Sequence, residues 1–521
     1  MGDSMTVRCA FLGALCCAAI AGVHFASKKR RPPLPPGPLS NSILVGHFGQ
    51  MPWGSPVTVF REWAQKYGDV VYVHCLGQPY IILDSAEAAS ELLEKRSAIF
   101  SSRPNTMVYK LMGWDPDVVF LPYGPQFRKQ RKIFQTSFSP QACIEFEPVQ
   151  LQNAHLLVHG LMENKGDLVQ LLNRFTIALA IRIAYGHQIL SPDDEYIKII
   201  QDSGSALSHG GMPTGTLVDY FPVLQYFPSW FPGTHYVNVA REWKWAVRKM
   251  IEWPYEVVLK NIATGKARPC FVANQLESAC KDVLTSDEHE DIRTAAAVIY
   301  SAGSDTTSFT LQKFFLVMLL YPEVQKKGHE EVDRVVGVDR LPSFEDRNSL
   351  TFVNCIIQEL LRWHPVAPLA VPHCSTEESV YKGMRIPKGS YVFPNTESMS
   401  LDDSVYTNPS EFNPSRFLPT TEGGKGEPPF EPAFGFGRRV CPGKHLALAN
   451  LWTVVTTVLA TLQIGKARDG AGQEITPSGD FNIGFTSCPK EFQCSISERS
   501  NRARDLIQEL VVKFSSIAGN M

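Results

Sequence analysis

The stretch FGFGRRVCPGKHLA, Phe434 to Ala447, sets a cysteine between two arginines and a Pro-Gly pair, directly before a helix-like pattern. A buried structural cysteine needs no glycines around it, and a disulfide cysteine needs no cations such as Arg438, Arg439 and Lys444. A thiolate held under something large and anionic uses both, because cations and a helix N-terminus lower a thiol's pKa. The rest of the fold must therefore close round one fixed sulfur. The other cysteines agree. All twelve are scattered over 521 residues without a CxxC pair or zinc spacing, so free thiols in a reducing compartment are expected rather than a disulfide scaffold. Gly435-Phe436-Gly437 is not a dinucleotide loop, since Val440 stands where the third glycine belongs. A formal charge of −2 points away from nucleic acid.

Cys9 to Ala26 is apolar and of membrane-spanning length. Lys28, Lys29, Arg30 and Arg31 follow it against a single Arg8 before it, which places the body in the cytosol. PPLPPGP then reads as a stiff spacer. The expected division is an anchor at 1–27, a basic and proline-rich linker at 28–50, a catalytic body at 51–499 and a helical extension at 500–521. Within the body, DVVYVHCLGQPYIILDS predicts a hairpin broken at Gly77-Gln78-Pro79, and AEAASELLEKRSAIF a short amphipathic helix. Helical periodicity runs from Pro140 to Ile200, from Asp291 to Leu320 and from Ser349 to Trp363, with Pro322 opening a further helix. Gly210 to Gly233 reads as a long irregular connection, of the kind that forms lids or binding loops. In the tail, Leu506, Leu510 and Phe514 share one helix face. Strands, many helices, then strands predict a helix-dominated α+β fold.

Two further motifs matter. QELLRWHP puts Glu359 and Arg362 on one helix face. SAGSDTT sets Ala302-Gly303, Asp305 and Thr306 inside a long apolar helix, where a glycine costs ~1 kcal/mol relative to alanine. Alone, the first is an ordinary surface pair and the second a packing notch. With F-x-x-G-x-R-x-C-x-G matched by Phe434, Gly437, Arg439, Cys441 and Gly443, and in this order, they become specific.

On these residues the chain resembles the cytochromes P450, the haem-thiolate monooxygenases, over nearly its whole length. The apolar segment and PPGP are similar to the membrane-bound eukaryotic branch, and TLVDYFPVLQYFPSWFPG to fungal members. The resemblance implies the P450 fold, a long central helix over haem b and a smaller β-rich lobe, behind an N-terminal transmembrane anchor. It implies Cys441 as axial ligand within a loop built by Phe434, Gly437 and Gly443, and Arg131, His373 and Arg439 as propionate partners. It implies a structural triad of Glu359, Arg362 and Arg416 that fixes the Cys441 loop. Asp305 and Thr306 become the acid–alcohol pair that supplies the protons dioxygen reduction consumes. Ala302, Gly303, Val366, Leu369 and Phe485 become walls of an apolar substrate space. One position departs: Phe127 stands where the family usually has tryptophan, and a phenyl ring has no N–H to donate.

Electrons would come from outside, since the chain has no flavin or nicotinamide loop. Arg128, Lys129, Lys132, Arg438 and Lys444 would steer an acidic NADPH–cytochrome P450 reductase. The implied activity is insertion of one atom of O2 into a lipophilic small molecule, in terpenoid or polyketide metabolism or xenobiotic oxidation. The implied location is the endoplasmic reticulum membrane, single-pass, with the catalytic domain cytosolic. Two rivals share the cysteine: a haem-thiolate isomerase or dehydratase needing no O2, against which Asp305-Thr306 argues, and a non-catalytic haem-binding protein.

Overall fold

The computed structural model describes residues 31–519 apart from 55, 164, 190 and 280–284. The anchor expected at 1–27 lies outside the described residues. The helices used below are α1 (Pro56–Tyr67), α2 (Pro125–Ser137), α3 (Glu147–Met162), α4 (Leu168–Tyr185), α5 (Glu195–His209), α6 (His235–Ala263), α7 (Ser286–Leu320), α8 (Pro322–Val335), α9 (Thr351–Arg362), α10 (Lys444–Thr461) and α11 (Asn501–Gly519).

Seven of these helices, α2, α4, α5, α6, α8, α9 and α10, pack against α7. It begins before Asp291, its predicted start, because Thr285 and Glu288 form a capping box: the Thr285 hydroxyl accepts from Glu288 N, and the Glu288 carboxylate accepts from Thr285 N at 2.9 Å. Pro322 cannot continue the helix and starts α8 instead. α4 is apolar and long enough to cross a membrane, yet it packs along α7 in the core. A Cβ on Gly303 would find the Ala180 methyl of α4 at 4.0 Å. Gly303, half-buried, thus lies at the α4–α7 crossing.

The β lobe begins with β1 (Val70–Cys75) and β2 (Gln78–Leu83), the expected hairpin. Its turn is Leu76-Gly77, at φ 50° and 85°, the left-handed pair that two-residue hairpin turns require. Gln78 and Pro79 thus lie in the strand and not in the break. Pro79 is tolerated there because pairing on the far side of β2 starts only at Tyr80. β3 (His373–Cys374), β4 (Ser379–Tyr381), β5 (Met384–Ile386) and β6 (Tyr391–Pro394) follow, and the sheet order is β1-β2-β6-β3 with β4–β5 a separate pair. α1 packs on β1. β7 (Leu462–Lys466) pairs with β10 (Cys494–Glu498), and β8 (Phe481–Ile483) with β9 (Ser487–Pro489). The described part of the linker is no free spacer. Tyr72 N donates to Pro36 O at 2.9 Å and His47 N to His74 O at 2.7 Å, covering the β1 edge, and Arg385 N of β5 donates to Pro33 O at 2.7 Å.

Two other expectations change. AEAASELLEKRSAIF forms helical turns interrupted by a wide turn at Ser90–Lys95. The connection 210–233 holds short helices at Leu217–Tyr220 and Pro222–Tyr226 and is tied down by Tyr109 OH to Gly211 O at 2.5 Å and Tyr80 OH to Thr214 O at 3.1 Å.

The C-terminal helix α11 docks on α3. Arg499 ahead of it grips Asp333 of α8 with two bonds, 2.9 and 2.6 Å, and Phe514 stacks on His155 of α3. Its contact ridge centres on Ala503 and Ile507, the latter 0 % exposed, with Leu506, Leu510 and Phe514 half-buried beside it. Ile507→Ala should cost about 2–5 kcal/mol, read as a lower denaturation midpoint. An unchanged midpoint would mean that α11 contributes nothing to the body.

Candidate active site

The cysteine loop is shaped by its glycines. Gly437 has φ 52°, and a Cβ there would lie 2.3 Å from Leu93 O, so no side chain fits. The loop then turns so that Cys441 N donates to Phe434 O at 2.7 Å, and α10 starts at Lys444. Cys441 faces open space, yet it lies so deep among protein atoms that burial pushes its thiol up; the Gly443 N–H, Arg131 and Lys444 act against this, favouring the thiolate. A side chain on Gly443 would come within 3.9 Å of the sulfur.

Four basic side chains gather near this loop. Arg439 donates to Ser101 O, Val118 O and Leu121 O at 2.7, 3.0 and 2.7 Å. Its guanidinium lies 3.7 Å from the centre of the Phe127 ring. Phe127 thus offers a π face where an indole would offer an N–H. Arg103 donates to Val119 O, Val371 O and Pro372 O. His373 is buried, with Nδ1 2.7 Å from Phe100 O; since a carbonyl only accepts, that nitrogen carries the proton. Burial first, then the positive Arg103 and Arg439, pushes the His373 imidazolium well down. Arg131 of α2 is felt at the Cys441 sulfur. Among the described residues no carboxylate pairs with any of the four. Such a buried positive cluster calls for a multiply charged anion. Together with an accessible soft sulfur, the donor set fits the iron porphyrin and its two propionates that the sequence implies. Arg103 was not among the expected residues; a single arginine in FSSRP gives no signal until the fold brings it beside His373 and Arg439.

α7 supplies another face. Ala302, Asp305 and Thr306 are exposed while Ser304, Thr307 and Ser308 beside them are buried, so a core helix carries an open strip one turn long. Thr306 Oγ1 donates to Ala302 O at 2.8 Å, back-bonding to its own helix and leaving its lone pairs to accept. Asp305 makes no hydrogen bond or ion pair among the described residues, and burial pushes its carboxyl up. Its Oδ2 would lie 3.8 Å from a Cβ on Gly204 of α5. Val366 is half-buried, its carbonyl accepting from Ser487 N at 2.8 Å, and Phe485 is half-buried in the β8–β9 turn. Leu369 is buried in the cluster that holds Tyr80 and Phe393.

The ion network is larger than the triad expected. Glu359 takes two bonds from Arg362, both 2.7 Å, and one from Arg416 at 3.0 Å. Arg416 also donates to Glu427 at 2.6 Å. Two guanidiniums therefore meet two carboxylates, and the set is neutral. Arg362 further holds Ser400 O, Pro409 O and Glu411 O, which pins the segment leading towards the cysteine loop. A triad of two arginines and one glutamate would have left a buried positive charge; that imbalance was the available signal for Glu427.

Of the expected docking cations, Lys129 is paired with Asp291 and Lys444 with Glu431, each at 2.8 Å. Arg128 and Arg438 lie over the Tyr123 ring.

The Cytochrome P450 family model matches residues 35–495. The chain is 37% identical over 490 residues to cytochrome P450 monooxygenase 176 of Postia placenta, covering 93% of this chain and 94% of the relative. It is 36% identical over 521 residues to cytochrome P450 monooxygenase COX2 of Coprinopsis cinerea, covering 99% of each. It is 35% identical over 483 residues to tryptamine 4-monooxygenase of Psilocybe cyanescens, covering 91% of this chain and 95% of the relative.

Proposed function

Because the chain belongs to the cytochrome P450 family, we propose that it is a membrane-anchored haem monooxygenase acting on a lipophilic small molecule of fungal secondary metabolism, with electrons from NADPH–cytochrome P450 reductase. The observation that carries this reading is the open strip Ala302, Asp305 and Thr306 on an otherwise buried helix. An isomerase has no use for a carboxyl and hydroxyl there. When bound, haem supplies the iron at which dioxygen is reduced. Cys441 would hold that iron, and Arg103, Arg131, His373 and Arg439 would hold the propionates. Asp305, without a partner of its own, is free to pass protons, and Thr306 to hold a water or accept a hydrogen bond beside it.

The test is incubation of membranes carrying the protein and reductase with terpenes, steroids and arenes under 18O2. Tryptamine joins the panel because one relative is named for it. A product heavier by one labelled oxygen supports the reading; an unlabelled product favours the isomerase or dehydratase, and no NADPH consumption a binding protein. Thr306→Ala removes one hydrogen bond worth about 1 kcal/mol and should leave the fold intact. NADPH consumption is expected to continue while product per NADPH falls and hydrogen peroxide rises. Wild-type coupling in that variant would remove Thr306 from the proton path.

The proposed location is the cytosolic face of the endoplasmic reticulum, through Cys9 to Ala26. A second contact is favoured by Tyr226 and Trp230, 79% and 78% exposed on the 210–233 connection, since such rings settle at the membrane interface. Removing residues 1–31 should release much of the protein from membranes with its CO spectrum intact, and Tyr226→Ser with Trp230→Ser should release most of the remainder. Loss of haem from a soluble truncated chain would place the domain boundary elsewhere.

A further inference from the structure

A cleft of about 340 Å3 opens at the end of α4 and shares no residue with the site above. Gly186 closes α4 at φ 70°, and a Cβ on it would lie 3.2 Å from the Arg268 Cβ and 3.3 Å from the Cys270 Cβ. The segment after α6 is thus strapped across the helix end, and only glycine admits it there. That segment is folded back on α6 by Lys266 N to Asn261 O at 2.8 Å and Gly265 N to Ile262 O at 3.1 Å. It brings Lys266 and Arg268, both exposed, to the lip of the cleft.

The charges around this cleft are one-sided. Arg182 lies behind Gly186 and donates to its carbonyl at 3.3 Å. Burial, then the nearby Arg268, pushes the Arg182 guanidinium down. Among the described residues no carboxylate lines the cleft; the adjacent Asp194 is engaged with His187 at 2.8 Å. The Lys266 ammonium has no hydrogen bond or ion pair among the described residues, and Arg268 reaches only the Gln188 amide oxygen, at 3.5 Å. Two buried rings complete the lining, Tyr185 and Tyr196, 4% and 2% exposed, and both hydroxyls lack a hydrogen-bond partner. Each orphaned donor costs about 1–3 kcal/mol. His187 stacks on Tyr196 with centroids 4.5 Å apart, giving a flat aromatic wall.

We propose that this cleft binds a small organic phosphate, its phosphoryl oxygens taking the Lys266 and Arg268 charges at the lip, its ring lying against the His187–Tyr196 wall. The volume suits a ligand of that size, and guanidinium is the group best matched to phosphate oxygens. Tyr300 of α7 donates its hydroxyl to Tyr196 O, which ties the helix carrying Tyr196 to the central helix.

The test is calorimetric titration of the haem-loaded, full-length protein with phenyl phosphate at constant ionic strength, with the Soret band recorded in parallel. One saturable site per chain and an unmoved Soret band are expected. Lys266→Gln with Arg268→Gln, both on the surface, should weaken binding about tenfold or more, the loss of charge-assisted bonds. Absence of saturable binding at millimolar phenyl phosphate would overturn the proposal, as would equal affinity in the double variant. Inorganic phosphate bound as tightly as phenyl phosphate would overturn the organic half of it. A shifted Soret band, with binding abolished by imidazole, would place the ligand in the haem pocket and overturn the whole.

Discussion

Cys441→Ala is expected to abolish the long-wavelength Soret band that reduced, CO-treated haem-thiolate proteins show, while the chain remains folded. The physical ground is the competition among thiols. Cys75 and Cys355 are buried, with their thiols pushed up to about 12 by burial, and Cys143, Cys374 and Cys494 are pushed up to about 11 in the same way. None of these five has a cation near enough to help it ionise. Cys441 also carries a desolvation penalty, but the Gly443 N–H and the charges of Arg131 and Lys444 oppose it, and its sulfur faces open space. A thiolate is the species that binds iron, and iron itself would complete the deprotonation. The replaced side chain is small and exposed, so little packing is lost. The readout is all or nothing: a normal band in Cys441→Ala would move the ligand to another thiol and remove the basis for the site as a whole. Haem held without that band, through some other ligand, would instead fit the loss of the sulfur alone.

What the sequence made legible follows from how local each signal is. Cysteine loop and Glu-x-x-Arg pair are both short-range patterns, and the structure contains each as a local unit. Even here a rule was missed: Thr285-x-x-Glu288 is a capping box readable from sequence, and it moves the start of α7 before Asp291. Leu76 was harder, because a leucine at φ 50° is not a residue that announces a turn. The larger omissions are long-range. Arg103 reaches Val371 and Pro372 and Gln78 reaches Gly389, and nothing in the chain near either residue encodes that meeting. The packing neighbours of Leu369 and Gly303 were out of reach for a related reason. Periodicity says that a position is buried, whereas the choice between core and cavity depends on which element arrives opposite. Ile507 shows the reverse case, a contact on a helix whose amphipathic face was visible but whose partner, α3, was not.

Glu359→Gln is expected to cost about 3–5 kcal/mol, the penalty for breaking a buried ion network at one member. Glu359 and Arg362 are each 0% exposed and Arg416 is 1% exposed, so water cannot replace the lost charge. The carboxylate accepts two bonds from Arg362, one from Arg416 and one from Asn413 N at 2.9 Å. An amide of the same shape keeps one acceptor and turns the other position into a donor facing a guanidinium. A domain is stable by only ~5–15 kcal/mol, so this single change should remove a large share of the total. The segment held by Arg362 at Ser400, Pro409 and Glu411 should loosen with it, and haem content should fall even where soluble protein survives. The neutral balance of the four charges supplies a sharper check. Adding Arg362→Gln to Glu359→Gln removes one charge of each sign and leaves the Arg416–Glu427 pair at 2.6 Å. The double variant should therefore be less destabilised than the sum of the two single variants, by roughly 1–3 kcal/mol of coupling. Denaturation midpoints of the four proteins measure that coupling. Strict additivity would mean that Glu359 and Arg362 act through packing alone, and a Glu359→Gln cost below about 1 kcal/mol would deny the network any part in holding the cysteine loop.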